Sequence, residues 1–274
     1  MPVDTVLHNA KVYTDRGLIE AGIAIDHDHI VRIAKTRNLP KASRQIDLKG
    51  KLALPGLIDS HVHLRDQQLA YKEDFTSGTT AAAAGGITTV IDMPNNQPVT
   101  MSADTLKKRM QLAKPRILVN VAFNSAFPTR TQEIPNIVKA GAVGFKLYLS
   151  QQIGGINPDD DTALLKAFEA VGQTRVPIAV HAEDRSMIEQ EQKNLMRQGR
   201  NDLEAFLEAH KPEAEEKATE RITQMSEKSG ANVHICHVSR RNEIVLQVGT
   251  GHGILYEPLS EWVLPTVKWA NQEW

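Results

Sequence analysis

Two histidines one residue apart, His61 and His63 in LALPGLIDSHVHLRDQQ, are followed at once by Arg65 and Asp66. Alternate side chains of a strand share a face, so Asp59, His61 and His63 point one way while Ser60, Val62 and Leu64 point the other. Two imidazoles on one face can grip a single ion. An isolated H-x-H equally suits two rings satisfied by hydrogen bonds at a strand end. The motif gains weight because later apolar runs also end in ligand-type residues: Lys146 in GFKLYLS, His181 in VHAED and His237 in HICHVS. Side chains gathered from the ends of different strands are what a metal site in a βα barrel requires. Lys146 is the odd member, because an ammonium is a poor neighbour for divalent cations. Reaction of its free amine with CO2 would make it a carboxylate able to bridge two metals; the plain alternative is a salt bridge. His237 shares parity with Ile235, whereas His234 has the opposite parity and is expected to face the helices. His8, His27, His29, His210 and His252 lie outside this pattern and are read as surface or structural.

The elements that must position these residues can be read from the texture of the chain. Residues 1–55 alternate short β-like runs with turn residues (TVLHNAKVYT, IAIDHDHIVRIA, RQIDLKGKLAL, with Gly17, Gly22, Pro40 and Gly50 between or beside them), which predicts a small strand-rich module. Residues 56–274 form the second domain, in which apolar strands are separated by longer helical patterns, the sign of repeated βα units around a parallel sheet. Candidate strands are 57–64, 87–93, 116–124, 142–149, 177–183, 232–238 and 253–259, seven where a (β/α)8 TIM-type barrel needs eight. The barrel is therefore expected to be incomplete at its C-terminus. The charged stretch from Glu189 to Lys228, broken at Gly199 and Pro212, predicts surface helices covering it.

Bulk composition narrows the partners. With 32 basic against 33 acidic residues and a net charge of -1, nothing calls for nucleic acid or an anionic membrane. The N-terminus lacks a signal-peptide core, and no window approaches the ~18 apolar residues of a membrane span. A lone cysteine, Cys236, excludes an internal disulfide and a cysteine-rich metal knot, leaving His and carboxylate as ligands. A cytoplasmic protein acting on a small molecule is the expectation.

PGLIDSHVHLRD, YKEDFTSGTTAAAAGGITTVIDMPNNQPVT, GFKLYLS, HAED and CHVS, in this order and spacing, resemble the cyclic amidohydrolases, and within them dihydroorotase. The group also includes allantoinase and dihydropyrimidinase (hydantoinase). The resemblance implies a small β-sandwich beside the barrel and a two-metal centre, usually zinc. His61 and His63 would hold one ion, His181 and His237 the second, and a carboxylated Lys146 would bridge them. Such ions lower the pKa of bound water toward ~7. In the family's dihydroorotases the Arg after H-x-H and the Asn of the MPN segment hold the substrate carboxylate, which implies that role for Arg65 and Asn95. A guanidinium presents a planar fork suited to that group, although a pair with Asp66 is the alternative for Arg65. Gln67 and Gln68 depart from the family, many members of which have Pro and Gly there.

The family's reaction is reversible cleavage of a cyclic amide, dihydroorotate to and from N-carbamoyl-aspartate in pyrimidine biosynthesis. A carboxylate on strand eight moves the proton of the departing nitrogen. No aspartate follows Asp202 in this chain, so that residue stays unassigned. The tail PLSEWVLPTVKWANQEW does not continue the family pattern, and truncation or a frame change after about residue 257 is the expectation, with a closing helix as the rival. Three readings result: a dihydroorotase-type hydrolase, an allantoinase or hydantoinase, or a catalytically impaired or non-catalytic scaffold relative. An unclosed barrel would expose strand edges, so homo-oligomerisation is also expected.

Overall fold

The computed structural model describes residues 2–239 and the backbone of residues 255–258. The expectations placed on the tail beyond Pro258, on His252 and on an eighth strand lie outside the described residues. The chain divides into two compact units, residues 1–57 and 58–274.

The first unit is built from β1 (Val3–Thr14), β2 (Gly17–Asp26), β3 (His29–Ala34), β4 (Ala42–Asp47) and β5 (Leu52–Ala53). Strands β1 and β2 form an antiparallel hairpin whose tight return uses the positive φ of Gly17, 95°. The order is β3-β2-β1-β4, with β5 also pairing β1, and β4 and β5 run parallel to β1. Ala10, Val12, Ala21 and Ile23 make its small core. Among the described residues of this unit the five strands are joined in one hydrogen-bonded sheet.

In the second unit the order of strands in the sheet follows the order in the chain: β6 (Leu57–Val62), β7 (Ile87–Asp92), β8 (Asn120–Ala126), β9 (Ala142–Tyr148), β10 (Ile178–His181), β11 (Val233–Val238) and β12 (Leu255–Pro258). From β7 onward every neighbouring pair is parallel. Parallel neighbours need crossovers. These contain helices α1 (Phe75–Ala84), α2 (Ala103–Ala113), α3 (Ile134–Lys139), α4 (Asp161–Gly172) and, between β10 and β11, α5 (Arg185–Arg197), α6 (Leu203–Ala209) and α7 (Pro212–Ser229). Helix starts follow their local chemistry. Asp74 and Ser102 close capping boxes, Asp160, Asp184 and Asp202 cap α4, α5 and α6, and Pro212 opens α7, where no backbone N–H is needed.

Seven strands were expected in this unit and, among the described residues, seven are present, with one shifted. The run RILV at 116–119 precedes the third, which starts at Asn120 and continues to Ala126. Alternation within strands sorts the two faces. Phe145, Leu147, Val180 and Ile235 join Leu164, Phe168 and Ile222 in one buried apolar cluster, while Lys146 and Tyr148 occupy the other face of β9.

The sheet is strongly curled. His61 on β6 and His237 on β11 lie five strand positions apart, which in a flat sheet would separate them by ~24 Å. Their ring centroids are 5.7 Å apart. The concave side thus gathers residues from strands distant in sequence, while the convex side buries the helices.

This packing has a measurable consequence. Ile222 on α7 is fully buried in the main cluster, so Ile222→Ala is expected to cost ~2–5 kcal/mol. Glu227→Ala, on the exposed face of the same helix, should leave the urea midpoint where it is. Equilibrium urea unfolding of both variants checks the assignment of faces.

Candidate metal and substrate site

The expected residues converge at one end of the curled sheet. The rings of His61 and His63 are 5.3 Å apart between centroids, and those of His181 and His237 are 4.7 Å apart. His61 N–H donates to Asp59 Oδ1 at 3.0 Å, tying the backbone at the end of β6. His63 Nδ1–H donates to Asn95 Oδ1 at 2.7 Å, which leaves Nε2 as its lone-pair nitrogen. Burial holds His63 down at about 4 even though the Asn95 bond pulls the other way, so the ring is neutral at pH 7. His181 Nε2–H donates to Glu183, leaving Nδ1 to face His237 Nε2 at 3.0 Å.

Glu183 is held in turn by His210, whose Nδ1 lies 2.7 Å from Glu183 Oε1. Burial alone would raise the Glu183 carboxyl, but its hydrogen bonds to His181 and His210 hold it at about 2. His210, set aside in the sequence as surface or structural, therefore reaches the site through one carboxylate. In the sequence, only the alternation that puts His181 and Glu183 on one face of a strand points toward this network.

His237 is in the site for a different reason than strand parity. Its φ is 45°, and the register of β11 against β12 shifts between Ile235 and Val238. This irregularity lets two consecutive residues reach the concave side: Cys236 Sγ accepts from Lys146 Nζ at 2.9 Å, and His237 meets His181 and His61. The expectation that His234 faces the helices is corrected. His234 shares its face with Cys236 and hydrogen-bonds it, while Ile235 packs in the helix-side core. Burial would raise the Cys236 thiol; hydrogen bonds from His234 and His61 and the charge of Lys146 bring it down to about 5.

Lys146 is completely buried, and among the described residues it pairs with no carboxylate, so the plain salt bridge is not formed. Its Nζ lies 5.1 Å from the Tyr148 ring centre. Among the described residues the buried Tyr148 hydroxyl has no hydrogen-bond partner.

Arg65 opens a run of three left-handed residues, Arg65, Asp66 and Gln67, with φ of 48°, 56° and 53°. Such conformations cost ~1–2 kcal/mol per non-glycine residue and persist where surroundings fix them. Asp66 does much of the fixing. Its carboxylate accepts from Gln67 N, from Phe75 N and from Arg116. Asp66 is thus the partner of Arg116, and the suggested pair with Arg65 does not form. Arg65 Nη1 instead donates to the Asn95 carbonyl at 3.1 Å.

Beneath the loop, the buried Asp92 accepts from Leu64 N at 2.9 Å and from Arg109 Nε and Nη2 at 2.8 and 2.5 Å. Beyond Asn95 an open cavity of about 570 Å³ is lined by Gln97, Met101, Gln152 and Ile153 among others.

Four features make the site suited to metal. The His63 and His181 rings each have one nitrogen engaged by Asn95 or Glu183, the arrangement that orients a metal-binding imidazole. The 3.0 Å between His181 Nδ1 and His237 Nε2 is close to the ~3.3 Å that two nitrogens adopt on one tetrahedral zinc. His63 is neutral, and among the described residues the Tyr148 hydroxyl is unpaired. The grouping is pairwise. Among the described residues, the one cluster of three donors all within 4.8 Å of one another is Asp4, Asp26 and His27, at the surface of the first unit.

Comparison with known proteins agrees with this architecture. The amidohydrolase family model matches residues 52–260. The dihydroorotase of Methanothermobacter thermautotrophicus is 34% identical over 236 residues, covering 86% of this chain and 52% of that protein. The L-hydantoinase of Paenarthrobacter aurescens is 31% identical over 247 residues, covering 89% and 54%. Among solved structures, L-hydantoinase (dihydropyrimidinase) from Arthrobacter aurescens superposes with a TM-score of 0.84 at 28% identity, over 93% of this chain and 58% of that one. The chain spans about half the length of the curated relatives it matches. With a family match over most of its length and a curled parallel sheet carrying histidines on its concave side, this chain belongs to the amidohydrolase family.

Proposed function

We propose that this chain is a dihydroorotase-type hydrolase, which opens and closes the cyclic amide of dihydroorotate in pyrimidine biosynthesis. The observation that carries the proposal is the link His63–Asn95–Arg65: the Asn95 side chain accepts from His63, and its carbonyl accepts from Arg65. One residue thereby sets a guanidinium beside the histidine cluster. Among the described residues that guanidinium has no carboxylate partner, which suits it to a substrate carboxylate.

In this proposal His61 and His63 would hold one divalent ion and His181 and His237 the other, with Lys146, once carboxylated by CO2, as a further ligand. Zinc bound in such a pair supplies Lewis acidity and brings the pKa of water toward ~7. Glu183, braced by His210, orients His181, and Asn95 orients His63. The carboxylate on Lys146 would offer the Tyr148 hydroxyl an acceptor. The curl of the sheet supports a (β/α)8 barrel as the parent architecture, and a buried free cysteine suits a cytoplasmic setting.

A hydantoin-type substrate is the second reading, favoured by the 31% identity to an L-hydantoinase. Two experiments separate the readings. The purified protein should carry about two metal ions per chain by elemental analysis, and His63→Asn should lose about one. Less than one ion in the unaltered protein would instead favour a scaffold. With dihydroorotate, hydantoin and allantoin assayed in parallel, dihydroorotate is expected to be preferred, and Arg65→Leu should weaken its binding by about 30-fold or more. Turnover of hydantoin with none of dihydroorotate would reverse the choice of substrate.

A further inference from the structure

Gln67 stands where many members of the family resembled by the sequence have proline, and the structure gives its side chain a task that proline could not perform. Gln67 Oε1 accepts two hydrogen bonds, one from Asn96 Nδ2 at 2.8 Å and one from Arg109 Nη1 at 3.1 Å. Both donors are buried, Asn96 at 2% exposure and Arg109 at 1%. The same Arg109 Nη1 also holds the Arg65 carbonyl at 3.0 Å. Asn96 is the immediate neighbour of Asn95, and its remaining bonds run within its own loop, to the Pro98 carbonyl and from Thr100 Oγ1. The backbones of the two segments touch at the same place: Gln67 bridges Gln97, and Gln68 N donates to the Gln97 carbonyl at 3.3 Å.

Gln67 is therefore, beside Arg65 itself, a side chain through which two separately wound loops meet. One loop carries Arg65 and follows β6; the other carries Asn95 and follows β7. The backbone of Gln67 has a φ of 53°, which a proline ring, locked near −65°, cannot adopt. The left-handed turn and the glutamine thus belong together. Removing the amide oxygen would take one acceptor from two buried donors at once, a loss that folded proteins relieve by moving the donors.

We infer that Gln67 is a positioning residue that fixes the distance between Arg65 and Asn95, and through them the grip on a carboxylate-bearing ring. The inference rests on the dihydroorotate reading above. Gln67 does not touch the substrate in this scheme; it acts through Arg65.

The test is a double-mutant cycle read by calorimetric binding of dihydroorotate to the full metal-loaded chain, using Gln67→Leu, Arg65→Leu and the pair. Gln67→Leu alone is expected to weaken binding about tenfold or more. In the Arg65→Leu background it should change affinity by less than about twofold, because the residue through which it acts is gone. Gln67→Glu, which keeps an acceptor for Asn96 and Arg109, should stay within about threefold of the unaltered protein. Metal content and thermal midpoint, measured on each variant, guard against a variant that has not folded. Binding by Gln67→Leu within twofold of the unaltered chain, or an equal loss in both backgrounds, overturns the inference alone. An unaltered chain that binds hydantoin but not dihydroorotate overturns the substrate reading and this inference together.

Discussion

Asp92 and Arg109 form a two-pronged ion pair almost sealed from water, at 0% and 1% side-chain exposure. Burying two charges is costly, and removing one partner of such a pair typically costs about 3–5 kcal/mol because the other is left uncompensated. The other hydrogen bonds of the pair go to the segment after β6. Asp92 holds Leu64 N, and Arg109 holds the Arg65 carbonyl and the Gln67 amide. The aromatic face of Phe75, 4.7 Å from the Arg109 guanidinium carbon, covers the pair. A strained left-handed turn beside the metal-type histidines can exist because this rigid post stands beneath it.

Above that post, polar residues at the site are fixed by relays rather than by single contacts. Asn95 connects His63 to Arg65, and Glu183 connects His181 to His210. Each relay leaves one imidazole nitrogen available while engaging the other. Binding a cation then needs little reorientation of these two rings, which is what preorganisation means in energetic terms.

Much of this was legible in the sequence, because periodicity and residue type are local properties. The seven strands, the helical stretch after Glu189 with its breaks at Gly199 and Pro212, and the meeting of His61, His63, Lys146, His181 and His237 required only alternation and the barrel rule that strand ends converge. What could not be read depended on partners far away in the chain or on broken alternation. Parity pointed to His237 for the wrong reason, since a register shift, invisible in HICHVS, turns that residue inward together with Cys236. Gln67 could be noticed as unusual, but its partners lie 29 and 42 residues away. RILV at 116–119 looked like a strand because it is apolar, whereas pairing with β7 starts only at Asn120.

The contact between His61 and His237 also sets a timetable. The first histidine emerges early from the ribosome, but its neighbour across the curled sheet is translated 176 residues later. At ~5–20 residues per second that delay is roughly 10–35 s. During this interval β6 has its sheet neighbour β7 but not the far wall of the site, and the early strands carry an open edge of the kind that chaperones shield. The site is therefore completed only when the sheet has curled far enough to bring its sixth strand back to its first.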